Sequence, residues 1–171
     1  MKDYFRVTNL HLDGQEQFKD NDQLLIGTIY RSPNSSSAKQ NLLQSIINKT
    51  TERKPSHFLL MGDFNYPDIN WGLGTSPPDM RNPATRFLET LRDAYLHEHV
   101  MLPTHNRGTQ NPNILDLIIT NEKGMISQMV LSAPIVKSHH VYINFMFNCY
   151  TSEQPTQKLK HIYHKGDYTM S

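Results

Sequence analysis

The sequence predicts a layered α/β domain, and three observations lead there. Strongly apolar runs at residues 24–30, 58–61, 114–120 and 141–147 have the length of buried strands. Amphipathic stretches with helical spacing lie between some of them. Buried strand, helix and buried strand in succession is the order of a layered α/β fold rather than of a helical bundle. At 171 residues the chain is long enough for one domain with a real core. The hydrophobic fraction is 37% and the mean hydropathy −0.59, so that core must be concentrated in those few runs.

Composition excludes several classes of function. No run approaches the roughly 18 apolar residues of a membrane span. No N-terminal basic-and-apolar signal segment is present either. Seventeen basic residues against sixteen acidic ones leave a net charge of +1, which argues against a free-standing, tight DNA binder. A local phosphate-reading patch stays compatible with it. The single cysteine, Cys149, excludes an internal disulfide and a cysteine-rich zinc site. A reduced intracellular compartment, nuclear or cytoplasmic, is the expectation.

Residues 1–22 are polar and weakly patterned, with at most short edge pieces around Tyr4 and Leu10. Residues 23–30 read as a buried strand that opens into Arg31-Ser32-Pro33-Asn34, where proline and serines end it. Tyr30, Arg31 and Asn34 carry donors suited to a phosphate at that exit, although taken alone the segment reads better as a plain polar loop. Leu42, Leu43, Ile46 and Ile47 then give residues 38–51 the apolar face of a helix packed on the sheet.

The next strand, Phe58-Leu59-Leu60-Met61, is expected to end at Gly62 and to present Asp63 and Asn65. Residues two apart on an extended segment point the same way, so a carboxylate and a carboxamide would share one space. Such a pair suits orienting a water or binding a hydrated cation. Asp and Asn are also common turn formers, and Gly62-Asp63-Phe64-Asn65 alone fits a turn equally well. Trp71, in the Pro- and Gly-rich loop that follows, reads as an anchor for that loop, with base stacking as the lesser alternative. Phe87, Leu88, Leu91 and Ala94 mark a second amphipathic helix over residues 82–95. His97 and His99 beyond it read as a solvated helix end rather than a metal pair.

A polar loop over residues 103–113 delivers the chain into the strand at 114–120, which is apolar except for Asp116. A carboxylate inside a buried strand is costly unless paired, so it calls for a partner; backbone donors or an arginine would also serve. Ser138, His139 and His140 stand on the loop entering the strand at 141–147. A histidine oriented by a buried carboxylate is a general base for neutral pH, and Asp116 with His140 would make one. Residues 23–150 thus form the domain, and the polar residues 151–171 read as a tether leaving it.

Four stretches stand in fixed order: Tyr30-Arg31-Ser32-Pro33, Gly62-Asp63-Phe64-Asn65, Leu115-Asp116-Leu117-Ile118 and Ser138-His139-His140. The set resembles the endonuclease/exonuclease/phosphatase family, which includes apurinic/apyrimidinic endonuclease and DNase I. Ile69-Asn70-Trp71, Asn113-Ile114-Leu115-Asp116 and the closing Lys165-Gly166-Asp167-Tyr168 narrow the resemblance to the endonuclease domain of non-LTR retrotransposons. The resemblance spans roughly residues 23–150 and is far more specific as an ordered set than in any one motif.

The resemblance implies a four-layer αββα sandwich, incomplete at its N-terminus, and Mg2+-dependent hydrolysis of a DNA phosphodiester. Within it Asp116 orients His140, Asp63 and Asn65 position the attacking water and the phosphate, and Tyr30 contacts the phosphate. DNA is the implied substrate and a downstream reverse transcriptase segment the implied neighbour. Two departures bear on activity. Family members carry upstream sequence with an Asn and a Glu that bind the metal, and the family's Ser-Asp-His motif has His139 here in place of its Asp. Imidazole is a poor magnesium ligand. The leading expectation is therefore an impaired endonuclease. The alternatives are a phosphoesterase of the same fold acting on a small phosphate ester, and a non-catalytic remnant that binds nucleic acid or a partner.

Overall fold

The computed structural model describes residues 4–11, 23–105, 112–134 and 139–149. A five-stranded mixed sheet forms its centre. In chain order its strands are β1 (Tyr4–His11), β2 (Gln23–Tyr30), β3 (His57–Asp63), β4 (His97–Glu98) and β5 (Asp116–Thr120). In space they run β1-β2-β3-β5-β4, with only the β2–β3 pair parallel. That parallel pair needs a crossover, and α1 (Ser37–Thr51) supplies it. A second, two-stranded antiparallel sheet joins β6 (Ile126–Ser132) to β7 (Tyr142–Phe147).

The two faces of the central sheet bury different partners, as the period-two alternation of a strand requires. Leu25, Ile29, Phe58, Leu60, Leu117 and Ile119 meet Leu43 and Ile47 of α1. The same face takes Ala84, Phe87, Leu88 and Leu91 of α2 (Pro83–Asp93). Asn82 caps α2 by accepting a hydrogen bond from the Ala84 N–H at 2.8 Å, and Pro83 suits the first helical turn, where its missing N–H costs nothing. On the opposite face Leu59 and Ile118 pack against Ile126, Met129 and Leu131 of β6 and Ile143, Phe145 and Phe147 of β7. The order helix, sheet, sheet accounts for three of the expected four layers. Among the described residues no helix covers the outer face of β6 and β7.

Gly62 does not end β3; the strand passes through it to Asp63. Its φ of +137° and the main chain of β2 both require glycine. A Cβ at this position would lie 1.9 Å from the carbonyl oxygen of Ile29. Glycine therefore lets β2 and β3 approach closely where Asp63 is presented.

Three other elements differ from expectation. β1 is a full eight-residue edge strand, paired from Tyr4 opposite Tyr30 to His11 opposite Gln23. Its backbone is completed by a strongly apolar neighbour, which its own weak pattern does not reveal. His97 and His99 are not a solvated helix end: His97 starts β4 on the edge of β5, and His99 Nε2 lies 2.7 Å from Thr120 Oγ1. β6 was not anticipated, because a bulge between Ser127 and Val130, with Gln128 at φ 49°, breaks its alternation. Trp71 does anchor its loop, standing edge-on to Phe87 at 6.5 Å. Ser138 and residues 151–171 lie outside the described residues. Among the described residues no helix is long and apolar enough to cross a membrane.

Candidate active site

Strand register gathers the first three groups. Tyr30 pairs with Asp63 across β2 and β3, and Asp63 pairs with Asp116 across β3 and β5. Tyr30, Asp63 and Asp116 therefore stand side by side at one end of the sheet. Two backbone bonds tie that end together, Arg31 N–H to the Asp63 carbonyl at 2.8 Å and Phe64 N–H to the Leu115 carbonyl at 2.9 Å.

The second sheet brings the fourth group. His140 precedes β7, and its Nδ1 lies 2.8 Å from Asp116 Oδ2. Asp116 is half-buried, which limits screening by solvent, and the anticipated carboxylate–histidine pair is present. Thr104, which no sequence pattern marked, holds both members. It is fully buried, and its hydroxyl oxygen accepts hydrogen bonds from the Leu115 and Asp116 N–H groups, each at 3.0 Å. Its carbonyl oxygen accepts one from Val141 N–H, next to His140, at 2.8 Å. His105 was also missed. Its ring packs 4.8 Å from that of His140 and 6.1 Å from that of His139.

Asp63 is the electrostatically unusual group. Its pKa is raised to about 6, first by burial and then by the neighbouring Asp116 charge. The charge of His140, the Asn65 N–H and Arg31 pull the other way. Its Oδ1 is buried with no hydrogen-bond partner. Asn65 does not continue the extended strand: its φ of 53° puts it in the left-handed region that Asn tolerates better than most residues. A turn, not period-two spacing, brings Asn65 beside Asp63.

The remaining predicted residues are placed differently. Arg31 is 5% exposed and turned inward, donating to the Asn65 carbonyl at 2.7 Å with its guanidinium 4.1 Å above the Tyr66 ring. It braces the turn that carries Asn65. Asn34 stands exposed on the loop after β2, and Tyr30 is half-buried at the strand end.

Asp63 and Asp116 are the hard donors that stand side by side among the described residues at this end of the sheet. Among the described residues no three His, Cys, Asp or Glu side chains converge as a metal group. His139 is exposed, and its imidazole is too soft a donor for Mg2+. Asp116 already holds His140.

The family described as Endonuclease-reverse transcriptase matches residues 24–144. The chain belongs to that family. The same fold recurs in the endonuclease domain of TRAS1, a telomere-specific non-LTR retrotransposon, at 16% identity and a TM-score of 0.59. That likeness covers 85% of this chain and 64% of the TRAS1 chain, so the chain spans a little under two thirds of the TRAS1 domain's length. A 3′ phosphatase from Neisseria, NExo, bound to a product DNA hairpin, aligns at 14% identity and a TM-score of 0.48, over 81% of this chain and 67% of its own. No curated protein matches the chain. The endonuclease/exonuclease/phosphatase assignment, with its DNase I-like α/β fold, therefore holds.

Proposed function

We propose that this domain is a DNA-directed phosphodiesterase of the endonuclease type, with a dyad in working geometry and a weak means of handling charge. The carrying observation is the 2.8 Å contact of His140 Nδ1 with Asp116 Oδ2. A carboxylate on Nδ1 selects the tautomer whose Nε2 takes a proton, and it steadies the imidazolium that results. In this reading Nε2 draws a proton from water as the water oxygen bonds to phosphorus. Asp63, beside Asp116 in the strand register, accepts a hydrogen bond from that water. Tyr30 and Asn34 donate to phosphate oxygens. The P–O bond to the leaving strand breaks, and the leaving oxygen takes a proton from solvent. Among the described residues no three His, Cys, Asp or Glu side chains converge, and the step above uses this chain's own groups. Tyr30 and Asn34, the described residues assigned to the phosphate, are neutral donors, so charge on the transferring phosphoryl group is weakly met and slow turnover is expected. The family assignment supports nucleic acid as substrate and a reverse transcriptase segment as covalent neighbour.

Nicking of supercoiled plasmid in Mg2+ or Mn2+ tests the reading. Slow nicking is expected, reduced about a hundredfold or more in His140→Ala and in Asp63→Ala. Equal nicking in all three proteins would remove the assigned roles. No nicking by folded protein would favour a second reading, a non-catalytic domain that binds nucleic acid, which His139 in place of the family's Asp supports.

A further inference from the structure

Asn65 keeps a backbone conformation that its neighbours must hold in place. Its φ of 53° lies in the left-handed region, which residues with a side chain adopt at a cost, Asn at less than most. Such conformations persist where the surrounding structure over-determines them. Arg31 reaches every carbonyl of the turn. Its main-chain N–H donates to the Asp63 carbonyl at 2.8 Å. Its Nη1 donates to the Asn65 carbonyl at 2.7 Å and reaches the Phe64 carbonyl at 3.5 Å. The Asn65 N–H in turn bonds the Asp63 carboxyl group, which closes the turn from its other side.

The guanidinium is itself fixed from the core side. It lies 4.1 Å above the Tyr66 ring, and that ring stacks on Phe87 of α2 with centroids 4.4 Å apart. The Tyr66 hydroxyl donates to Gln40 Oε1 of α1 at 3.1 Å. Arg31, Gln40 and Tyr66 are all buried. A buried guanidinium is costly without an anionic partner, and among the described residues Arg31 makes no ion pair. An apolar side chain would fill the same space at less cost. What arginine adds is a flat, rigid group that stacks on an aromatic face while it donates in fixed directions.

We propose that Arg31 is a positioning residue: from beneath the turn it fixes the left-handed backbone of Asn65, and with it the direction in which the Asn65 carboxamide meets water and phosphate. Arg31 does not touch the substrate; its effect on the reaction passes through Asn65. The part played by Asn65 rests on the hydrolase reading, whereas the grip of Arg31 on the turn does not. A misdirected carboxamide costs alignment in the transition state, so kcat suffers more than KM.

Two full-chain variants test this against the parent. Arg31→Met keeps the stem and removes the guanidinium, and Arg31→Lys keeps the charge without the flat donor. NMR reads the HN–Hα scalar coupling and the amide exchange of Asn65, while the amides of β2, β3 and β5 report that each variant is folded. Both variants are expected to lose the left-handed coupling and the protection of the Asn65 N–H as those strands stay protected. In the nicking assay kcat should fall about tenfold to a hundredfold with KM little changed. That fall should nearly vanish in an Asn65→Ala background, where a residue acting through Asn65 has nothing left to direct. If the parent does not nick, the hydrolase reading fails, and the NMR comparison alone decides for or against Arg31. If Arg31→Met does not fold, Arg31→Lys decides by the same readouts. The proposal is overturned by any one of three results: an unchanged Asn65 turn in folded Arg31→Met, full retention of turn and kcat in Arg31→Lys, or a loss in Arg31→Met that adds in full to that of Asn65→Ala.

Discussion

Among the described residues Glu98 is the carboxyl group whose surroundings change it most. Burial pushes its pKa up to about 8, against the lowering influence of the Val100, Ile118 and His99 N–H groups. A folded-state pKa above the ordinary 4.5 means the fold prefers the protonated acid. The contribution to stability is therefore whole below about pH 4.5 and is lost as pH rises through about 8. Glu98→Gln keeps the shape and cannot ionise. It should match the parent in urea denaturation at pH 4.5 and exceed it at pH 9 by on the order of 2 kcal/mol. An equal difference at both pH values would show that Glu98 does not carry this linkage. Residues differ in how far their chains of neighbours announce them. Asp116 was legible because a charge interrupts an apolar run, and physics demands a partner for it. Glu98 was not, because His97-Glu98-His99 looks like solvated surface until β4 is laid against β5.

At the scale of elements, the loop before β5 matters as much as the strand. The Thr104 hydroxyl takes two backbone N–H groups from residues 115 and 116, while the Thr104 carbonyl takes one from Val141. Thr104→Val keeps the volume and leaves two backbone donors unsatisfied, one buried and one partly buried, at about 1–3 kcal/mol for the buried one. Urea denaturation should show that loss, and the nicking rate should fall further than stability alone explains. Thr104→Ser, which restores the oxygen, should recover both; failure of Ser to rescue would assign Thr104 to packing. Sequence reading finds strands and helices when one residue type repeats at a fixed period. That is why α1, α2, β2, β3 and β5 were legible, to within a few residues at each end. β6 was hidden by its bulge, β1 by its dependence on β2, and Thr104 by a loop whose path no local pattern encodes. At Asn65 extended chain and turn fitted the sequence equally well, because a left-handed φ has no period to betray it.

Across the whole molecule, the dyad joins two layers of unequal strength. Asp116 belongs to the central sheet, whose helix-facing core buries Phe58, Leu60, Phe87 and Ile119 almost completely. His140 enters β7, which is held through a smaller cluster where full burial is confined to Leu59, Val100 and Ile118. The other face of that hairpin leaves Val130, Tyr142 and Met146 exposed. Fewer buried apolar contacts imply a lower free energy of local opening. Native-state hydrogen exchange should therefore find the β6–β7 amides exchanging through a smaller opening than those of β2, β3 and β5. Phe145, partly buried beneath the hairpin, gives the lever. Phe145→Ala should lower the opening energy of β6 and β7 by about 2 kcal/mol while leaving protection of β3 nearly unchanged. Because the hairpin carries the lead-in from His140, the same variant should slow nicking without touching a reacting group. Equal loss of protection in both sheets would mean that the two layers open as one unit, and the dyad would then be as stable as the central sheet itself.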